Sequence, residues 1–189
     1  MSLVPVFEIG LLNVWILVLI QFLTEWMVYI DRKAGKKATF VPKAIQKGKF
    51  FRTGQLLYLV VMLYSVFVPL KLGTTWLYAG LMVYILGLIL TIVSYLNFVA
   101  TPVKEPVVNG LYGISRHPQY TFGVLTLLGA GIASASWLIV LLVIIEGIFH
   151  HPIALEEEQF CLEKYGDTYR EYMNRTPRWI GIPKSEKND

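Results

Sequence analysis

Apolar positions along the chain fall in long blocks, not in the alternation of a half-buried strand. The first block, residues 6–30, is long enough to cross a ~30 Å hydrocarbon core at ~1.5 Å per residue. It carries Glu8, Asn13, Gln21 and Glu25. Glu8 is expected at the interface, while Glu25, near the other end, either snorkels or faces protein. A second, shorter block covers residues 56–70 and ends at Pro69 and Lys71. The third, residues 76–98, is long and uncharged, with Trp76, Tyr78 and Tyr95 placed as interface anchors.

Two further blocks, 120–133 and 137–149, flank Ser134-Ala135-Ser136. Each holds about 14 residues, or ~21 Å of helix. They predict a tight hairpin whose ends lie at the interface or under protein. Gly123, Gly129 and Gly131 suit close helix approach there. Residues 153–173 then predict an amphipathic helix, with Leu155, Leu162, Tyr165, Tyr169 and Tyr172 at helical spacing and Gly166 as a candidate break. The predicted fold class is all-α: a polytopic membrane protein of about five transmembrane helices, with a short helical hairpin and a cytosolic C-terminal helix. Residues 1–189 read as a single integral membrane domain, with 184–189 as a disordered tail.

Composition supports the membrane class. Of the 189 residues 55% are hydrophobic and 16% charged, against about 45–50% and about 25% for soluble domains. No basic stretch precedes the first block and no small-residue cleavage site follows it, so it reads as a retained span. Cys161 is the sole cysteine, which excludes an intrachain disulfide.

Charge sets the direction. Of the seventeen basic residues, eight lie between Asp31 and Thr53: Arg32, Lys33, Lys36, Lys37, Lys43, Lys47, Lys49 and Arg52. Six follow Phe149 and none precedes the first block. Positive-inside bias then places the N-terminus outside and the C-terminus in the cytoplasm, which needs an odd number of spans. The loops 31–53 and 99–119 share the cytosolic side with the tail. The basic loop reads as a topology signal held near anionic membrane lipid. No nucleic-acid module accompanies it, so no nucleic-acid partner is expected.

Three polar clusters converge on that side: residues 107–112, Arg116-His117-Pro118-Gln119-Tyr120, and Glu156-Glu157-Glu158 preceded by His150-His151-Pro152. Pro118 keeps His117 out of the α region and starts a helix, whose unpaired N–H groups suit an anion. Two readings fit Arg116 and His117: an anion site, or contacts with lipid headgroups. Glu157 and Glu158 lie ~100° apart on a helix, so they are expected to point in different directions, one toward a ligand and the other toward solvent or an arginine. Adjacent His150 and His151 diverge and no H-E-x-x-H is present, so no metal is expected.

The set V-V-x-G-x-Y (107–112), R-H-P-x-Y (116–120), E-E (157–158), Y-G-x-x-Y-x-x-Y (165–172) and T-P-R (176–178) resembles the isoprenylcysteine carboxyl methyltransferases. These belong with the phospholipid N-methyltransferases among membrane enzymes that use S-adenosylmethionine. The resemblance covers residues 97–183 and implies a cofactor-binding catalytic region there. It implies cofactor contacts at Asn97, Lys104, Val107, Tyr112, His117, Pro118, Gln119, Tyr120 and Glu157, with the match at Asn97 and Lys104 by position only. It further implies that Glu157 pairs with the cofactor ammonium, that Arg116 or the helix start takes its carboxylate, and that Tyr112 or Tyr120 lies against the sulfonium or adenine.

Ile153 stands where isoprenylcysteine enzymes carry a substrate-site arginine, so the resemblance does not extend to that substrate. A lipid amine or thiol, entering from the bilayer, is then the expected lipophilic acceptor. For an amine, His151, Glu146 or Glu158 is the candidate proton acceptor. Cys161, Tyr165-Gly166, Tyr169 and Tyr172 also resemble the tail of NADPH-binding membrane sterol reductases, which gives a competing expectation. A non-catalytic lipid-binding protein is the third.

Overall fold

The computed structural model describes residues 9–30, 43–102 and 104–183. Glu8, the basic residues Arg32, Lys33, Lys36 and Lys37, and the expected tail 184–189 lie outside them. Among the described residues every regular element is helical. In chain order these are α1 (Trp15–Ile30), α2 (Lys43–Gln46), α3 (Lys49–Ser65), α4 (Thr75–Ala100), a 3-10 turn (Gly110–Gly113), α5 (Pro118–Ala133), α6 (Trp137–Tyr165) and α7 (Asp167–Arg175). Two of them, α4 and α6, are long and apolar enough to cross a membrane, and α1 contains the shorter apolar stretch Trp15–Trp26.

Helix α4 shows why an unbroken apolar block still has an inside and an outside. Its buried residues are Leu77, Gly80, Tyr84, Gly87, Thr91, Ser94 and Phe98. They recur at alternating gaps of three and four, the spacing of a single helix seam. Met82, Ile85, Leu86, Ile89 and Leu96 face outward. The seam holds small residues because α5 lies against it backbone to backbone. A Cβ on Gly80 would run into the Ala133 backbone, one on Gly87 into Thr126, and one on Gly129 into Tyr84. Where apolar burial drives little association, such close approach supplies the packing.

The closest glycine packing is therefore between α4 and α5; of Gly123, Gly129 and Gly131, it is Gly131 that approaches the other arm of the expected hairpin, at Val140 and Ile139. Gly123 instead faces Gln21 of α1. Buried Val14, Val18, Val61, Leu127, Ala130, Ile139 and Val143 fill the space between the helices. Polar ties fix their register: Tyr84 OH donates to the Leu17 carbonyl at 2.8 Å, and Gln21 Nε2 to the Gly123 carbonyl at 3.1 Å.

Three expectations are corrected. The last apolar block does not end as a short arm at Phe149. It continues as one 29-residue helix to Tyr165, with Pro152 inside it. Polar residues 150–152 read as a boundary but only mark where the helix leaves its apolar part; the break falls at Gly166, with φ 59°. The expected apolar face of the tail also shifts. Leu155 is exposed, while Ile153, Ala154, Glu157, Glu158 and Cys161 are buried, because that side of α6 faces the rest of the bundle. Finally, Trp76 and Tyr78 are exposed as anchors should be, but Tyr95 lines an internal cavity.

Candidate active site

The polar cluster is assembled at the N-terminus of α5. Pro118 occupies the first helical turn, where its missing N–H is no loss, and His117 stands at the N-cap with a non-helical backbone that is not the extended one either, at φ −128° and ψ 58°. The chain after α7 then runs back beside this segment. Arg116 N–H donates to the Pro177 carbonyl at 3.0 Å, His117 N–H to that of Arg178 at 3.3 Å, and Gly181 N–H to that of Ile114 at 3.1 Å. The 3-10 turn carrying Tyr112 is held from α4: Asn97 Oδ1 accepts from Leu111 N–H at 3.0 Å. Gly110 sits at φ 65° against Asn97, so a side chain there meets both a strained backbone and a collision.

Helix α6 brings Glu157 and Glu158 up to the His117 ring. Nδ1 lies 3.4 Å from Glu157 Oε2 and Nε2 lies 3.2 Å from Glu158 Oε1. The two carboxylates diverge, as expected, yet both are buried because one imidazole reaches each with a different nitrogen. Burial alone pulls the His117 imidazolium down, but hydrogen bonds and attraction from both glutamates outweigh it and hold its pKa above the ordinary histidine value.

Glu158 is saturated. Arg178 Nε and Nη2 donate to its two oxygens at 2.9 and 2.8 Å, and Arg116 Nη2 lies 3.4 Å away. Among the described residues Glu157 pairs with His117 and with the hydroxyl of Tyr120, which donates to its Oε1. Burial pushes the hydroxyls of Tyr112, Tyr169 and Tyr172 well above the ordinary tyrosine range, so they act as neutral donors. Tyr172 OH donates to the Tyr112 carbonyl at 2.7 Å.

A cavity of about 320 Å³ opens beside the cluster, between α1, α3, α5 and α6. Tyr112, Arg116, His117, Gln119, Tyr120 and Glu157 line it, and so does Ile153. A second polar group also lines it: Gln21, Glu25, Tyr58, Glu146 and His150. A recess of about 20 Å³, walled by Val107, Cys161, Tyr165, Tyr169 and Tyr172, shares Tyr112, Arg116, His117 and Glu157 with it.

Most of the expected site residues are thus brought together. Pro118 supports them from within the helix start, and Glu158 anchors them from behind. Asn97 holds the turn and does not line either space. Lys104 is exposed and lines neither. His151 is exposed, with its ring 6.2 Å from Trp179 and outside the cavity. Glu158, fully ion-paired, has no oxygen turned to the cavity for a proton.

Of the three candidate proton acceptors only Glu146 lines the cavity. Sequence reasoning missed Arg178, although the T-P-R motif contains it. It also missed His150, whose i,i+4 spacing from Glu146 was a usable signal.

An all-helical bundle with membrane-length helices and a paired charge cluster beside an internal cavity has the layout of a membrane enzyme. Residues 75–168 match the family model described as phospholipid methyltransferase, which runs from the start of α4 into α7 and covers about half of the chain. The chain belongs to this family of membrane methyltransferases, whose wider group includes the isoprenylcysteine enzymes indicated by the motifs. No curated protein matches the chain. Nothing in the family match supports the reductase-like or non-catalytic expectations.

Proposed function

We propose that the protein transfers a methyl group from S-adenosylmethionine to a lipophilic acceptor at the cytosolic face of a membrane crossed by α1, α3, α4, α5 and α6. One observation carries the cofactor reading. Among the described residues Arg116 Nε is a buried donor with no partner and Glu157 is a buried carboxylate that no arginine pairs with; both side chains line the cavity. The amino-acid end of S-adenosylmethionine needs that pair, a donor for its carboxylate and an acceptor for its ammonium. The residues present therefore fit the cofactor.

When bound, it supplies a methyl group activated on a sulfonium. The protein's part is alignment, and orientation of donor and acceptor can supply ~7–11 kcal/mol. Glu158 and Arg178 hold Arg116 and His117 in place. Tyr112 and Tyr120 offer ring faces, worth ~0.5–2 kcal/mol against a cation. Within the single domain, residues 97–183 carry this site, and the acceptor enters from the bilayer.

The test is calorimetry of the full chain in neutral detergent with S-adenosylhomocysteine. Wild type is expected to bind one equivalent, and Glu157→Gln to bind about tenfold or more weakly through loss of the buried charge pair. NADPH is expected not to bind. Wild-type protein that takes up no S-adenosylhomocysteine would sink the proposal.

A further inference from the structure

We infer that His117 gives up a proton when the cofactor's amino group reaches Glu157, and that this exchange makes the site discriminate S-adenosylmethionine from S-adenosylhomocysteine. This rests on the methyltransferase reading above. The ring is wedged between two buried carboxylates: His117 is 7% exposed, Glu157 3% and Glu158 2%. Nδ1 lies 3.4 Å from Glu157 and Nε2 3.2 Å from Glu158, so each nitrogen faces an acceptor. A neutral imidazole has one N–H and can donate to one of them; a doubly protonated ring serves both. The arrangement is that of an imidazolium, in keeping with the raised pKa.

The two carboxylates differ in what else they hold. Glu158 is forked by Arg178 and touched by Arg116. Among the described residues Glu157 has the neutral hydroxyl of Tyr120 and the His117 ring. Arg116 and Arg178 already balance Glu157 and Glu158 in number. The proton on His117 therefore leaves the cluster with one positive charge in excess, and Nδ1–H is the part of it set against Glu157.

Most other groups around the ring keep their charge near neutral pH. Tyr120 stacks on it at 5.7 Å and Trp179 lies at 6.0 Å. Burial holds the hydroxyls of Tyr112, Tyr169 and Tyr172 above the ordinary range and pushes the Cys161 thiol up to about 12. Glu25 of α1 and Glu146 and His150 of α6 line the same cavity. The Tyr120 ring stands between His150 and His117, so His150 is the second titrating imidazole that a test must separate.

An ammonium that pairs with Glu157 meets the imidazolium across one carboxylate. Like charges so placed disfavour each other, and the proton on Nδ1 leaves. It passes to water, while Nε2–H keeps Glu158 as its acceptor. Nδ1 is left with a lone pair that accepts an N–H of the ammonium, which gives the amino group a second partner. S-adenosylmethionine carries a sulfonium charge that S-adenosylhomocysteine lacks, so the methyl donor drives the proton off more completely than the product does. The sign follows. Between the lower pKa of bound His117 and the higher one of free His117, binding releases a proton and affinity rises with pH; outside that window it is flat. Acid pH therefore favours the neutral thioether, and rising pH favours the methyl donor.

The test is calorimetry of the full chain in dodecyl maltoside with each of the two compounds. It runs from about pH 6 to about pH 7.5, around the ordinary histidine pKa, in phosphate and in imidazole buffer. The difference in heat between the buffers counts protons. Wild type is expected to release about half a proton or more per ligand, with affinity for S-adenosylmethionine rising about threefold or more per pH unit. Its preference for S-adenosylmethionine over S-adenosylhomocysteine should climb over the same range. His117→Asn is expected to bind with no release and a level preference, and His150→Gln to release as wild type does. Carbon-13 labelling of the three histidines gives the same answer in unaltered protein. One ring signal is expected to titrate about one unit or more lower with ligand bound.

Binding without proton release, or release that persists in His117→Asn or vanishes in His150→Gln, overturns the inference and leaves the cofactor reading standing. Release with a preference that stays level with pH overturns the discrimination between the two compounds. Wild type that binds neither compound overturns both readings.

Discussion

Replacing Arg178 with glutamine tests whether the segment after α7 holds the site together. Arg178 forks both oxygens of Glu158 at 2.9 and 2.8 Å. The Glu158 side chain is 2% exposed and that of Arg178 24%. A hydrogen bond to a charged group contributes ~1.5–3 kcal/mol, and breaking a fully buried ion pair costs ~3–5 kcal/mol. Two features favour the lower range. Arg178 is partly solvated, and Glu158 keeps Arg116 at 3.4 Å and His117 at 3.2 Å. The expected loss is ~2 kcal/mol, which for a chain of this size is ~4–8 °C in melting midpoint.

Cys161 provides the assay. It is the sole cysteine and is buried beside Tyr169 and Tyr172, so a thiol-reactive dye reports when this region opens on heating. Arg178→Lys is expected to restore only part of the loss, because an ammonium cannot fork both oxygens. Arg170→Gln removes an exposed pair with Asp167 (69% and 87%) and serves as the control, worth ~0–1 kcal/mol. Arg178→Gln melting together with Arg170→Gln, or Arg178→Lys melting with wild type, would refute the reasoning.

Gly87→Ala puts a Cβ 2.7 Å from the Thr126 amide nitrogen and forces α4 and α5 apart. Its expected cost of ~1–3 kcal/mol, read by the same dye, should contrast with Gly113→Ala, which meets nothing within 4 Å. His117 has a raised folded pKa, so its stabilisation is complete below the unfolded value of about 6.5 and is lost as pH rises through the folded value. The wild-type midpoint should therefore fall across that window and that of His117→Asn should fall less; equal slopes would remove His117 as the source.

The helices were legible because apolar blocks this long have few other uses. The inward seam of α4 was not, since its glycines, Thr91 and Ser94 sit in a block whose outward face is equally apolar. Continuity of α6 was hidden by His150-His151-Pro152, a polar stretch ending in a residue that usually stops a helix. The His117–Glu157–Glu158 cluster was readable from motif spacing. Its fourth member was not readable in role, because Arg178 reaches Glu158 only after the chain has turned at Gly166 and come back past Ile114. Glu25 and Gln21 were visible as polar residues in a span, but which of them faced protein depended on α5 presenting the Gly123 carbonyl.

That dependence bears on how the proposed chemistry divides along the chain. The family match at 75–168 contains Arg116, His117, Tyr120 and Glu157, the residues assigned to the methyl donor, and also Glu146 and His150. Glu25, Gln21 and Tyr58 come from α1 and α3, before the match begins. On the proposed reading the matched region builds the donor site, and α1 and α3 add Gln21, Glu25 and Tyr58 to the wall of the same cavity. Replacing Glu25 on α1 therefore changes a wall of the cavity from outside the matched region, while Tyr120 keeps its stack on His150 and its bond to Glu157.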